Sequence, residues 1–149
     1  MPRSNAVTPI IKTLLASTTA AATATSSAIS MGLADTYTLF LNVTAATGTS
    51  PTLDVVLQTS YDGGTTYIDL PLRYAQKTTA TSNVLVFKCG LGNNEVALEN
   101  AVADTGGTLA KNCVFDWRYM KIKYTIGGTN PSFTFAVYML ATPSNWNNA

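Results

Sequence analysis

Residues 36–60 read TYTLFLNVTAATGTSPTLDVVLQTS, with apolar side chains at every second position on each side of a central GTSP. The apolar positions before and after it are Leu39, Leu41, Val43, Leu53, Val55 and Leu57. A period of two is typical of a β-strand that turns one face toward a core. This stretch therefore predicts two strands joined by a short connection.

The same alternation recurs near the C-terminus of the chain. Residues 119–126 and 133–139 each place an apolar side chain at every second position. Val84–Cys89 indicates a further strand and Tyr67–Leu70 a short one. Glycine, asparagine, aspartate and proline separate these runs at spacings typical of hairpins. We therefore predict an all-β fold, most simply an antiparallel two-sheet β-sandwich of jelly-roll-like type.

One motif occurs twice, about eighty residues apart. GTSPTL at residues 48–53 is matched by GTNPSF at residues 128–133, each between two alternating runs. The glycine permits a positive φ, and the proline suits the first residue of a strand, where the missing N–H costs least. We interpret the two copies as turns of matched hairpins at equivalent corners of a sandwich.

The chain divides into three segments by composition. Residues 1–34 are rich in threonine, alanine and serine, contain no acidic residue and show no helical stripe. We expect them to form an extended N-terminal arm that orders against a partner. Residues 35–142 form the predicted sandwich and residues 143–149 a C-terminal tail. Residues 90–112 are expected to be a long loop region with one helical turn near Glu95–Asn100.

The composition excludes several classes of function. Only 11% of the 149 residues are charged, the net charge is +1, and there is no histidine. The lack of histidine removes the commonest general base and zinc ligand, and the few acidic residues form no evident pair. We therefore expect a non-enzymatic protein with no catalytic residue, cofactor or metal ion.

The charge and hydropathy patterns also argue against nucleic acid and membranes as partners. There is no clustered basic footprint for nucleic acid, and no run of about 20 apolar residues that would cross a membrane. Cys89 and Cys113 fit no zinc spacing, and they are either one disulfide or two buried thiols. A neutral surface rich in hydroxyl groups favours burial in an assembly.

The sharpest local signal is SYDGGTTY at residues 60–67. Asp-Gly-Gly between two strands is typical of a hairpin turn in which the aspartate accepts backbone hydrogen bonds. The segment resembles the Asp-box of sialidases and other propeller proteins, Ser-x-Asp-x-Gly-x-Thr-Trp, with Tyr67 in place of the tryptophan. The matching positions are Ser60, Asp62, Gly64 and Thr66. In that family the box braces a hairpin away from the catalytic centre, so the resemblance implies a structural brace.

Two further groups of side chains have competing interpretations. Lys121 and Lys123 share one strand face near Arg118, either as a docking face for an acidic surface or as a solvated face. The aromatic residues either stack on sugars or belong to the core and interfaces. They are Tyr61, Tyr67, Tyr74, Trp117 and Trp146.

Two longer segments stand out together. They are residues 53–67, a strand followed by the DGGTTY turn, and residues 118–133, RYMKIKYTIGGTNPSF. In this combination the chain resembles small virion proteins of tailed bacteriophages. The likeness covers roughly residues 36–140. It implies a β-sandwich that decorates or cements a capsid, usually as a trimer or another homo-oligomer, although some similar proteins belong to tails or fibres.

From this resemblance we expect a virion protein on the capsid surface, assembled in the host cytoplasm and bound to the major capsid protein. The N-terminal arm would reach over neighbouring subunits and order on binding. Its predicted contact residues are Arg3, Ile10, Ile11, Lys12, Leu14 and Leu15. The alternative is a carbohydrate-binding, receptor-binding or structural module of a tail or fibre, with a shallow aromatic site that includes Tyr61 or Trp117.

Overall fold

A computed structural model describes residues 8–31, 34, 36–88, 101–102 and 118–142. These residues form seven strands in one antiparallel sheet. The strands are β1 (Ile10–Ala20), β2 (Ala24–Thr25), β3 (Thr36–Ser60), β4 (Tyr67–Tyr74), β5 (Thr81–Lys88), β6 (Ala101–Val102) and β7 (Met120–Thr142). The all-β class is confirmed, including the strands expected near residues 67 and 84. The predicted helical turn and the C-terminal tail lie outside the described residues.

The sheet is organised around two long strands, β3 and β7, which pair from Thr36↔Thr142 to Thr59↔Met120. Shorter strands flank them, and their positions divide the sheet into two halves. Half A comprises β1, residues 132–142 of β7, residues 36–47 of β3, and β5. Half B comprises β2, residues 120–127 of β7, residues 52–60 of β3, β4 and β6.

The two copies of the repeated motif meet each other at the boundary between the halves. Thr49 pairs with Thr129, so residues 48–51 of β3 lie against residues 128–131 of β7. We call these eight residues the crease. Between the pairs Thr47↔Ser132 and Thr49↔Thr129, β7 contains one residue more than β3. Between the pairs Thr49↔Thr129 and Thr52↔Gly127, β3 contains the extra residue. The crease is therefore a pair of reciprocal bulges, and the prediction of two separate hairpin turns is wrong.

The crease allows the sheet to curl back on itself, since bulges bend a strand and increase its twist. The rings of Tyr124 and Phe135 have centroids 5.1 Å apart and meet edge to face. Eleven residues of straight strand would span about 36 Å. Strand β7 must therefore fold back between these two residues, and it brings half A and half B around one shared core.

The core takes its side chains from the predicted inward positions of both halves. Every alternating apolar residue of β3 named above is at most 3% exposed. Met120 and Ile122 of half B join Phe133, Phe135 and Val137 of half A in the same cluster. The predicted alternation of the strands is confirmed by this burial.

The N-terminal segment follows β7 along its whole length instead of leaving the sheet. Ile10 pairs with Ala141 and Ala20 with Phe133, and farther along Ile29 bridges to Met120. Leu14, Met31 and Ala34 belong to the shared core. The division between an arm at 1–34 and a body from 35 onward stays a prediction, and residues 10–25 of the arm pair with the edge of β7 in the same sheet.

The short chain between Ile29 and Thr36 is independent evidence that β7 folds back on itself. Ile29 lies beside one end of β7, and Thr36 pairs with Thr142 at the other end. Seven residue steps reach about 25 Å at most, whereas a straight strand as long as β7 would span about 73 Å. Ile29 can contact one end of β7 and Thr36 the other only because β7 folds back on itself.

The crease depends on two glycines at which the backbones touch. Gly48 and Gly128 have φ values of 110° and 109°, which L-residues rarely adopt. A Cβ added at Gly48 would lie 2.6 Å from the carbonyl oxygen of Asn130, and one at Gly128 would lie 2.6 Å from that of Ser50. Ser50 and Asn130 also have positive φ. The repeated motif thus builds one symmetric contact from both of its copies.

We expect Gly48→Ala to destabilise the fold by more than about 3 kcal/mol, because it adds backbone strain to a clash with backbone atoms. Gly63→Ala is the matched control, since Gly63 also has a positive φ, 74°, but a Cβ there would meet nothing within 4 Å. The control should cost only about 1–2 kcal/mol. Urea unfolding measures both, and equal costs would contradict the close contact at the crease.

Candidate interaction surfaces

The predicted contact residues of the arm differ in burial and in their contacts. Leu14 is buried in the core, and Leu15 packs against it from a half-buried position. The Lys12 ammonium donates to the Ser30 carbonyl oxygen. Ile10 and Ile11 are 53% and 78% exposed. Arg3 lies outside the described residues, so Ile10 and Ile11 are the described members of this set that expose a large apolar side chain.

The contacts of residues 23–29 with β7 depend little on side-chain size. The Ser26 amide donates to the Ile122 carbonyl oxygen at 2.8 Å, and the Ile122 amide donates to the Ser26 hydroxyl at 3.0 Å. The Ile126 amide donates to the Thr23 hydroxyl at 3.1 Å. Backbone groups and short hydroxyl side chains therefore hold this part of the segment on the edge of half B.

The SYDGGTTY turn connects β3 to β4 and is held by its own side chains. The Ser60 hydroxyl donates to an Asp62 carboxylate oxygen at 2.9 Å and accepts from the Gly64 amide at 2.7 Å. The same carboxylate oxygen accepts from the amides of Thr65 and Thr66 at 3.1 and 2.7 Å. These four predicted brace positions, 60, 62, 64 and 66, thus share one local network.

The turn is also attached to the start of β7. The Ser60 amide donates to the Tyr119 carbonyl oxygen at 3.1 Å, and a Cβ at Gly64 would lie 3.0 Å from the Tyr119 ring. A glycine at position 64 therefore lets the turn pack closely on this ring. The arrangement fixes where β4 begins.

The basic side chains near the turn each contact a neighbour in the same chain. The Lys121 ammonium lies 4.0 Å from the centre of the Tyr67 ring, and Arg118 lies 5.7 Å from that of Tyr119. The Lys123 ammonium lies 2.7 Å from an Asp69 carboxylate oxygen. Gln58 donates to the other Asp69 oxygen at 2.6 Å. Lys121 and Lys123 share a face as predicted, but intramolecular contacts already engage both of them.

Two carboxyl groups of half B have perturbed pKa values. The amide of Thr66, with further hydrogen bonds from the same turn, lowers the pKa of Asp62. Burial alone would raise the pKa of Asp69, but hydrogen bonds from Lys123 and Gln58 outweigh it and lower the value. Both groups are therefore held in the ionised form as hydrogen-bond acceptors of the fold.

The outer faces of the two halves differ in character. In half B the outward side chains include Asp54, Asp69, Lys121 and Lys123, and Asp54 accepts from Gln76 at 2.8 Å. In half A an apolar row crosses four strands. Its members are Ile11, Leu140, Tyr138, Phe40 and Val84. Directly paired residues share one face of a sheet, so the register places these five together.

This apolar row was not predicted as a unit from the sequence. Phe40 and Tyr138 were visible as large residues at the outward positions of alternating strands. The pairs Phe40↔Tyr138, Phe40↔Val84 and Ile11↔Leu140 depend on a register that only the folded sheet supplies.

The remaining predicted sites are partly outside the described residues. Cys89, Cys113, Trp117 and Trp146 lie there, so neither a disulfide nor those two aromatic positions is placed. Tyr61 is 70% exposed, whereas Tyr74 is buried. Over the described ranges no three histidine, cysteine or acidic side chains are grouped so as to hold a metal ion. Nor does this part of the chain contain a helix with the length and hydropathy needed to span a bilayer.

Comparison with known proteins leaves the chain without an assigned family. No family model, no curated protein and no solved structure matches it.

We expect Asp62→Asn to destabilise the protein at neutral pH and to lose this effect in acid. A carboxyl whose pKa is lowered by folding adds stability above its unfolded pKa of about 3.9, and loses it as the pH falls through the lower folded value. Urea midpoints at about pH 7 and about pH 2 give the comparison. Thr65→Ala, which keeps the Thr65 amide, should behave like the wild type. A constant deficit of Asp62→Asn at both pH values would contradict the role of its charge.

Proposed function

We propose that this chain is a non-enzymatic structural protein of a tailed-phage virion. It binds the outside of the capsid as a homo-oligomer and cements neighbouring capsomers, with the major capsid protein as its partner. In this proposal half A and half B form the two layers of a jelly-roll-like β-sandwich. Neither nucleic acid nor a membrane is a partner, and assembly takes place in the host cytoplasm.

The observation that carries the proposal is the apolar row on the outer face of half A. Phe40 is 37% exposed there, and Ile11 extends the row onto the N-terminal segment. Contiguous apolar surface of this kind marks a site of contact with another macromolecule. A shell surface would present such a site with many neighbours at once, so modest single contacts add up through multivalency.

The distribution of the phage-like motifs supports the same division of roles. The strand and turn at residues 53–67 and the first part of β7 lie in half B and the crease. Their polar side chains are engaged with one another, as in the Lys123–Asp69 pair. Half B thus serves as the scaffold, while half A and the N-terminal segment provide the contacts with the shell.

The packing of the N-terminal segment decides how the proposal is tested. Deleting residues 1–30 would remove Leu14 from the core and expose the edge of β7, so such a variant tests stability as well as binding. A single exposed position is cleaner. Ile11, which lies on β1 in the apolar row, is 78% exposed, and Ile68, on β4 of half B, is 49% exposed. They form a matched pair of the same residue type.

We expect the wild-type chain to co-sediment with empty phage shells that lack a decoration protein, and to saturate at a number set by shell symmetry. Ile11→Asp should weaken this binding about tenfold, or about 1.4 kcal/mol, since it places a charge in an apolar contact. Ile68→Asp should bind as the wild type does. Absence of wild-type binding would overturn the capsid proposal, and equal losses in both variants would overturn the role of the N-terminal segment.

The second candidate function, a glycan-binding module of a tail or fibre, is favoured by Tyr61. This ring is 70% exposed at the tip of the β3–β4 turn, where a sugar could stack on it. Under this alternative the wild type binds a glycan on an array, and Tyr61→Ala loses the signal while Ile68→Ala keeps it. A wild-type chain that binds no glycan dismisses the alternative.

A further inference from the structure

The SYDGGTTY turn contains a chemically reactive peptide link, Asp62–Gly63. An aspartate that precedes glycine can rearrange without an enzyme, because the missing side chain of the glycine lets its amide nitrogen approach the aspartate Cγ. This is the only Asp-Gly pair in the sequence, and no asparagine precedes a glycine. Asp54 and Asp69 precede valine and leucine, whose side chains hinder the same attack.

The rearrangement has two steps, and it needs only protons and water. The Asp62 carboxylate takes up a proton, and the Gly63 nitrogen then bonds to Cγ while its N–H hydrogen leaves with the carboxyl hydroxyl group as water. Water next adds to one carbonyl carbon of the resulting cyclic succinimide and breaks the C–N bond at that carbon. Cleavage at Cγ restores aspartate. Cleavage at the backbone carbonyl carbon gives isoaspartate, in which the main chain runs through Cγ.

Steric crowding does not protect this link in the folded chain. Asp62 is exposed, and a Cβ on Gly63 would meet nothing within 4 Å. The amides of residues 62, 64, 65 and 66 donate within the turn, whereas the Gly63 amide donates to no group among the described residues. The attacking nitrogen is therefore accessible, and any protection has to act on the carboxyl group.

The carboxyl group is held by three hydrogen bonds to one of its oxygens. They come from the Ser60 hydroxyl at 2.9 Å, the Thr65 amide at 3.1 Å and the Thr66 amide at 2.7 Å. Ring closure needs a protonated carboxyl group that is free to turn toward the Gly63 nitrogen, so these bonds must break first. Hydrogen bonds to a charged acceptor are among the stronger ones in proteins. They also lower the pKa of Asp62, which depletes the reactive protonated form.

We infer that the turn protects the Asp62–Gly63 link against isomerisation, and that the Ser60 hydroxyl is the protecting side chain. This hydroxyl donates to the Asp62 carboxylate and accepts from the amides of Asp62 and Gly64, at 3.3 and 2.7 Å, so it holds the chain on both sides of the link. Ser60 is itself 2% exposed, so water does not compete for its hydroxyl. The protection does not depend on the capsid role.

Isomerisation would dismantle the turn. It adds one carbon atom to the main chain between residues 62 and 63 and leaves the carboxylate attached directly to Cα, too short to hold the amides of Thr65 and Thr66 in the same way. The contacts of the turn with Tyr119, through the Ser60 amide and Gly64, would then be lost as well. A protein that is assembled once and not replaced would accumulate such damage, which gives the protection a function.

Incubation of the purified full chain at neutral pH for several weeks, followed by peptide mapping with mass spectrometry, measures the rearrangement at residue 62. Electron-transfer fragmentation distinguishes isoaspartate from aspartate, and the succinimide is lighter by one water. The folded wild type should rearrange at least about tenfold more slowly than the same chain in guanidinium chloride. Ser60→Ala should lose most of this protection. Thr65→Ala, which keeps the Thr65 amide, is the matched control and should retain it.

Circular dichroism establishes that each variant is folded, and Asp54 and Asp69 serve as internal references that should form little isoaspartate in any of the chains. Equal rates for the folded and the denatured wild type would overturn the inference, and this comparison needs no variant, so it holds even if Ser60→Ala does not fold. A folded Ser60→Ala chain that rearranges as slowly as the wild type, or an equal acceleration in Thr65→Ala, would overturn the role of the Ser60 hydroxyl.

Discussion

The close approach of backbone at Gly48 and Gly128 is the constraint on which the rest of the fold depends. Each glycine has a positive φ and faces a carbonyl oxygen of the other strand, so neither position has room for a side chain. The two bulges that follow from this contact bend β3 and β7 together. Without the bend the ring contact between Tyr124 and Phe135 could not form, and the inward faces of the two halves would have no common core.

The bend also determines what the N-terminal segment can do. A segment that runs beside β7 from Ala141 to Met120 and then enters β3 at Thr36 needs a β7 whose ends are close. Once in place it covers the β7 edge and adds Ile11 to the outer row of half A. The same crease therefore supports the core on one side of the sheet and the apolar row of half A on the other.

Much of the strand structure could be predicted from the sequence, because alternation is a local signal and the inward positions of β3 and β7 are regular. The crease could not, since Gly-Thr-Ser-Pro has the same local chemistry in a hairpin turn and in a bulge. Only the long-range pairing Thr49↔Thr129 distinguishes them. The position of residues 10–29 beside β7 could not be predicted for a related reason. Backbone groups and the hydroxyls of Thr23 and Ser26 make many of the contacts with β7, and such contacts produce no hydrophobic periodicity in the sequence.

The measurement that tests this account most directly is a nuclear Overhauser spectrum with the aromatic rings assigned. A folded-back β7 predicts cross-peaks between the ring protons of Tyr124 and Phe135, whose centroids are 5.1 Å apart. These residues are separated by eleven positions, or about 36 Å of straight strand. Cross-peaks from each ring only to its own half of the sheet would contradict the curl, and with it the shared core.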